Sequence, residues 1–269
     1  MRIFTAPSKV IRLVQGVVLR VVALAAFAPA IAHADHDHGA HVSHSGEPEL
    51  SARVSIVAAK YDNESFIGDY QGITPSVRYG RGVWNAGANA SLYRLTRNGE
   101  EKYGLGDVIV DGQVQLVGGH PASAGISLAV SLPTGSQQSG LGMGHVMAMP
   151  SVWGVYMFDR VTFVGMFGYG RALGDGDHSH HTRGAIVDPM NMSELTWSAQ
   201  GDVSLARALT IGARVIGGVP VGEDGVNRVV GGVRAVWTEG RVTTSAELQV
   251  GLDGEPFDVR GVLATSLRL

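Results

Sequence analysis

Seven of the ten histidines in this 269-residue chain fall in two short polar runs. The first is Asp35-His36-Asp37-His38-Gly39-Ala40-His41-Val42-Ser43-His44, and the second is Asp175-Gly176-Asp177-His178-Ser179-His180-His181. Neutral imidazole donates a lone pair to zinc, copper or nickel. A pliant run can bring two or three rings onto one ion, with Asp177 available as an oxygen ligand. His36, His38, His41, His44, Asp177, His178, His180 and His181 are therefore the candidate metal ligands. Neither run has a fixed-geometry spacing such as HExxH, so a solvated leader and a merely polar loop stay open as alternatives. The chain has no cysteine, which excludes disulfides, thiolate metal sites and thiol nucleophiles.

Other reactive constellations fail on spacing. Gly135 to Gly142 has the separation of a phosphate loop, but Leu141-Gly142 stand where Lys and Ser/Thr are required. Serine is abundant, and a Ser-His pair needs a histidine nearby, yet the strand order assigns His120 and His145 to opposite ends of the molecule. A non-enzyme with no required cofactor is expected, a divalent ion being the optional one. Formal net charge is −3 and there is no basic patch, so nucleic acid is not an expected partner.

What remains is a set of charges on strands of period two. Val242, Thr244, Ala246, Leu248 and Val250 alternate with Thr243, Ser245, Glu247 and Gln249, and Leu195, Trp197, Ala199, Val203 and Leu205 alternate with Thr196, Ser198, Gln200, Asp202 and Ser204. At the C-terminus Leu269, Leu267, Thr265, Leu263, Gly261 and Val259 share one face, with Arg268, Ser266, Ala264, Arg260 and Asp258 on the other. Such an edge strand must find a partner, and the first strand can supply it. No stretch carries a helical period. Strands are expected near 50–60, 73–84, 88–97, 106–118, 123–132, 146–158, 161–173, 192–206, 209–220, 228–238, 241–251 and 258–269. Each is long enough to cross a bilayer when tilted.

The connections sort by parity. Those around 61–72, 98–105, 133–145, 174–191, 221–227 and 252–257 are long or loop-like, whereas Asn85-Ala86-Gly87, Gly119-His120-Pro121-Ala122, Asp159-Arg160, Arg207-Ala208 and Glu239-Gly240 are tight. Outer-membrane barrels have short periplasmic turns and longer outer loops. The fold class expected is therefore all-β: a transmembrane antiparallel up-and-down β-barrel of about twelve strands, with ten or fourteen as alternatives. Arg at the midplane of a barrel's outer face costs about 2–4 kcal/mol, so Arg78, Arg94, Asp111, Asp202, Arg214, Arg234, Glu247 and Arg260 are placed in the lumen, as are Arg228, Arg268 and Asp258. Tyr79, Trp84, Tyr93, Tyr156, Phe163, Phe167, Tyr169, Trp197 and Trp237 are placed on the lipid face. Strand 146–158 is apolar on both faces and its sides stay unassigned.

Composition agrees, with 45% apolar residues, 17% charged and 38 glycines. Arg2, Lys9, Arg12 and Arg20 precede the apolar run Val21 to Ile31, which ends in Ala32-His33-Ala34, the pattern of a signal-peptidase site. The expected organisation is a signal peptide at 1–34, a His-rich periplasmic tail at 35–48 and an outer-membrane barrel at 49–269.

Gly104-Leu105-Gly106-Asp107 and Ser131-Leu132-Pro133-Thr134-Gly135, followed by Gly140-Leu141-Gly142, carry a resemblance. Together they resemble the bacterial outer-membrane family assigned to the meta-cleavage pathway of phenol degradation, often called simply transporters. The resemblance covers residues 104–144. It implies a barrel in the outer membrane of a Gram-negative bacterium that passes small hydrophobic or aromatic molecules, and it carries no catalytic residues. The expected partners are outer-membrane lipid, the solute and the barrel-assembly machinery; a barrel that binds or admits zinc, copper or nickel is the alternative function.

If the histidines bind metal, uptake must weaken as pH falls through about 6.5, where unperturbed imidazole protonates and loses its lone pair. Calorimetric zinc titration of the full chain and of a form lacking residues 35–45, at pH 7.5 and 5.5, is expected to show less binding in the shortened form and less at the lower pH. Equal uptake by both, or indifference to pH, returns the tail to a soluble leader.

Overall fold

A computed structural model describes residues 47–62, 67–173, 187, 190–222, 225–254 and 257–269. Fourteen strands run in chain order: β1 (Pro48–Asp62), β2 (Ile67–Arg81), β3 (Trp84–Asn89), β4 (Leu92–Arg97), β5 (Glu100–Leu105), β6 (Val108–Val117), β7 (Ala122–Leu132), β8 (Val146–Phe158), β9 (Val161–Leu173), β10 (Ser193–Ser204), β11 (Leu209–Pro220), β12 (Arg228–Glu239), β13 (Val242–Asp253) and β14 (Val259–Arg268). The described residues contain no helix.

The sheet closes because β1 pairs antiparallel with β2 on one side and with β14 on the other. The closing seam runs from Ser51 opposite Arg268 to Lys60 opposite Val259. Two positions of the wall are each shared by two strands. β2 pairs with β3 through its C-terminal half and with β4 through its N-terminal half, while β3 pairs with β6 and β4 with β5. The wall is thus a twelve-position antiparallel barrel whose third and fourth positions are interrupted, at 90–91 and at 106–107.

Two connections differ from the sequence expectation. The tight turn expected at Asn85-Ala86-Gly87 lies earlier, at Gly82-Val83, and residues 85–87 belong to β3. Gly82 supplies the positive φ of 59° that the turn requires. The stretch 98–105, expected as a loop, is a hairpin in which Asn98 and Gly99 both adopt positive φ and β5 follows at once. Two successive residues at positive φ match the twist of the flanking strands.

Alternation sorts the faces. On β14, Arg260, Val262 and Ala264 are buried while the residues between them are partly exposed. Leu128, Val152, Phe163, Phe167, Val233 and Trp237 project outward. β8 proves two-sided, with Met147 and Trp153 inside and Val152, Tyr156 and Phe158 outside. Two assignments are corrected. Tyr93 is only 5% exposed and packs inside, sharing a face with Leu95 and Ser91. Arg94, the next residue, lies on the opposite face, where it pairs with Asp69 at 2.9 Å and with Glu101. Side chains one apart on a strand cannot share a side, and this end of β4 has carboxylates on β2 and β5 to satisfy a guanidinium outside the lumen.

Inside, Glu194 is fully buried, accepting from Arg228 at 2.5 Å and from the Asn191 side chain at 2.7 Å. Glu194→Ala is expected to lower stability by about 3 kcal/mol, because it removes the buried carboxylate to which Arg228 and Asn191 donate. Val242→Thr, on the outer face, is expected to change little. Urea midpoints in detergent check this, and equal midpoints for the two would contradict the assignment of faces.

Candidate functional site

The interruption at Gly106-Asp107 is where the loop after β7 is held. Pro133 stops β7 without needing a ladder donor. Thr134 then bridges back, its hydroxyl accepting from Val108 N at 2.9 Å and donating to Gly106 O at 2.8 Å. Asp107 holds both ends of the loop, with Gly135 N donating to Oδ1 at 2.9 Å and Met143 N to Oδ2 at 2.8 Å. Between those anchors the chain turns through hydrogen bonds to Ser136 O and Gln137 O. Leu141 is thereby driven into a buried cluster with Tyr61, Tyr70, Tyr93 and Leu95 from the wall. Val187 joins it, its N donating to Gly140 O at 3.3 Å.

The glycines here make room rather than supply a turn. A Cβ on Gly106 would lie 2.5 Å from the Tyr93 ring, and one on Gly104 would lie 2.9 Å from Leu141 Cδ1. Gly135 and Gly142 pass each other so closely that either Cβ would meet the other's backbone within 3 Å. Neither Gly104 nor Gly106 adopts positive φ.

Below this cluster the inward faces segregate by chemistry. β10 to β14 carry a polar arc: Arg214 with Glu247 at 2.7 Å, Arg234 with Asp202 at 3.8 Å and with Gln200 at 3.1 Å, and Arg260 with Gln249 at 2.6 Å. Arg260 also donates to Tyr70 OH at 3.4 Å and lies 4.4 Å above the centre of the Phe257 ring. Across the seam, Arg78 pairs with Asp111 at 2.7 Å and hydrogen-bonds Asn85. On β7 to β9, by contrast, the inward positions are Ser, Gly, Ala, Thr, Val, Met and Trp. At the mouth, Asp258 precedes β14 with its carboxyl pushed above the usual range by burial and by Asp62.

Of the sequence-predicted lumen residues, Arg78, Asp111, Asp202, Arg214, Arg234, Glu247 and Arg260 thus sit on inward faces, and Arg94 does not. The candidate metal ligands His36, His38, His41, His44, Asp177, His178, His180 and His181 lie outside the described residues. Among the described residues no group of three or more His, Asp or Glu is placed to hold a metal ion. Sequence reasoning missed Asp107 as an anchor and Leu141 as its cargo; their signal was an acid, Asp107, just before one strand and Pro133-Thr134-Gly135 just after the next.

No protein-family model matches the sequence, and no curated protein matches it. Solved structures do resemble the fold. An outer-membrane channel from Pseudomonas putida F1 superposes with a TM-score of 0.68 at 10% identity, covering 87% of this chain and all of the other. The translocator domain of the autotransporter NalP from Neisseria meningitidis gives 0.52 at 13% identity over 95% of each chain. The KdgM porin gives 0.50 at 8% identity, covering 82% of this chain and 98% of its own. The fold is that of the outer-membrane β-barrels, channels among them.

Asp107→Ala is expected to free the loop and widen the lumen, raising single-channel conductance severalfold while the barrel stays folded, because the sheet itself loses no ladder bond. Asp107→Asn keeps one acceptor and is expected to fall between. Conductance unchanged in both would show that the loop does not narrow the lumen.

Proposed function

We propose that the chain is an outer-membrane channel of a Gram-negative bacterium through which a small hydrophobic or aromatic solute passes unchanged. The observation that carries this is the uncharged wall inside the barrel. Met149, Val155, Met157, Val164 and Met166 face inward and are only partly buried, as befits side chains with open space before them. A general diffusion pore filled with water has no use for thioether side chains, which are adaptable surfaces for apolar ligands. The inward loop supports the same reading, since a constriction favours solutes that can shed water. Likeness to solved outer-membrane channels supports the compartment and the passive mode.

Planar-bilayer recording of the refolded full chain tests it. The expectation is small, steady chloride steps that fall when a millimolar aromatic solute is added, and larger steps with Asp107→Ala. A barrel that inserts but carries no current, even with Asp107→Ala, would overturn the reading.

A further inference from the structure

Away from the rims, the inward face carries Arg53, Arg78, Arg214, Arg228, Arg234 and Arg260 against Asp111, Glu194, Asp202 and Glu247. With Asp107, which holds the inward loop, six guanidiniums face five carboxylates, so the interior is slightly cationic although the chain as a whole is acidic. None of these charges stands on β7, β8 or β9, the fifth, sixth and seventh positions of the wall.

In a closed wall of twelve positions, the sixth faces the twelfth and the seventh faces the first. β8, with Met149 and Trp153, therefore looks across at β14 with Arg260, and β9, with Met166, looks across at β1 with Arg53. Strands about 4.8 Å apart and tilted about 40° close twelve positions around a backbone diameter of roughly 23 Å. Long side chains entering from both walls then leave a gap on the scale of one substituted ring.

Both walls continue along the axis. Arg53 stands opposite Ser266, six positions along β14 from Arg260 and so roughly 20 Å away. Arg214 and Arg234 occupy neighbouring positions of the arc. The facing apolar wall extends from Met147 to Met157. A purely apolar solute would gain nothing from the guanidiniums it must pass, and a small hydrophilic anion would gain nothing from methionine and valine. A molecule with a ring on one side and one carboxylate on the other satisfies both walls at every step, because guanidinium matches carboxylate geometry bidentately.

We infer that the lumen is a two-sided path for small amphiphilic monocarboxylates, aromatic acids foremost, with the apolar body on Met149, Val155 and Met166 and the carboxylate handed between Arg53, Arg234 and Arg260. This rests on the channel reading and names the solute class within it.

The test is block of the chloride current of the full-length protein in planar bilayers by benzoate, by acetate, which lacks the ring, and by benzyl alcohol, which lacks the charge. Benzoate is expected to block at about tenfold lower concentration than benzyl alcohol, the worth of one charge-assisted hydrogen bond, and at about tenfold lower concentration than acetate, the worth of burying part of one ring face. Arg53→Gln and Arg260→Gln are each expected to raise the blocking concentration of benzoate about tenfold and to leave that of benzyl alcohol unchanged. Met166→Ser is expected to weaken benzoate and benzyl alcohol together and to spare acetate. If Arg260→Gln does not fold, Arg53→Gln, at a less buried position, gives the same reading. Equal block by all three probes, or a lead for benzyl alcohol, overturns the inference while the channel stands. Absence of current in the wild type and in Asp107→Ala removes the channel reading itself, and this inference with it.

Discussion

Everything in this molecule depends on the seam between β1 and β14. In hydrocarbon each unpaired backbone amide or carbonyl costs several kcal/mol, so a sheet can cross a membrane only by having no edge. The seam meets that condition along ten residue pairs, from Ser51 to Lys60. Closure also creates an inside. Once the edges meet, the period of two along every strand becomes a division between lipid and lumen, and each charge must lie on the second side or beyond the membrane.

Arg94 shows the rule by its exception. It lies outside, beside Asp69 and Glu101, on the hairpin where β5 pairs with β4 alone among the described strands. There a guanidinium finds carboxylates of its own and a place past the completed ring of strands. Tyr93, its neighbour, is turned inward by the same alternation and becomes the wall against which Leu141 packs.

The interior is organised by a local weakness in the wall. Where the fourth position breaks at Gly106-Asp107, backbone groups that would have joined the ladder are free to hold a loop instead. Thr134 and Asp107 use that freedom to bring Gly135 to Met143 into the barrel. Close approach of Gly135 to Gly142, and of Gly104 and Gly106 to their neighbours, is possible only without side chains. Beneath the loop, guanidiniums and carboxylates gather on one arc while methionine, tryptophan and serine line the other. The two walls of this confined space thus differ in chemistry, and that difference is what the proposed passage of solutes rests on.

The sequence by itself determined the class of fold, because the signals needed were local. Alternation over nine residues, as from Val242 to Val250, sorts lipid from lumen without any knowledge of neighbours. Turn positions were less legible: Gly82-Val83 and Asn98-Gly99 are short signals inside longer stretches that pair on both sides, and pairing decides where a strand stops. Only the tertiary structure decided what the glycines at 104, 106, 135 and 142 are for, which face of β8 looks inward, and that Asp107 reaches residues 28 and 36 positions away. Those facts belong to distances across the barrel. Which wall faces which follows from the number of strands that close, a property of the whole sheet that no single segment contains.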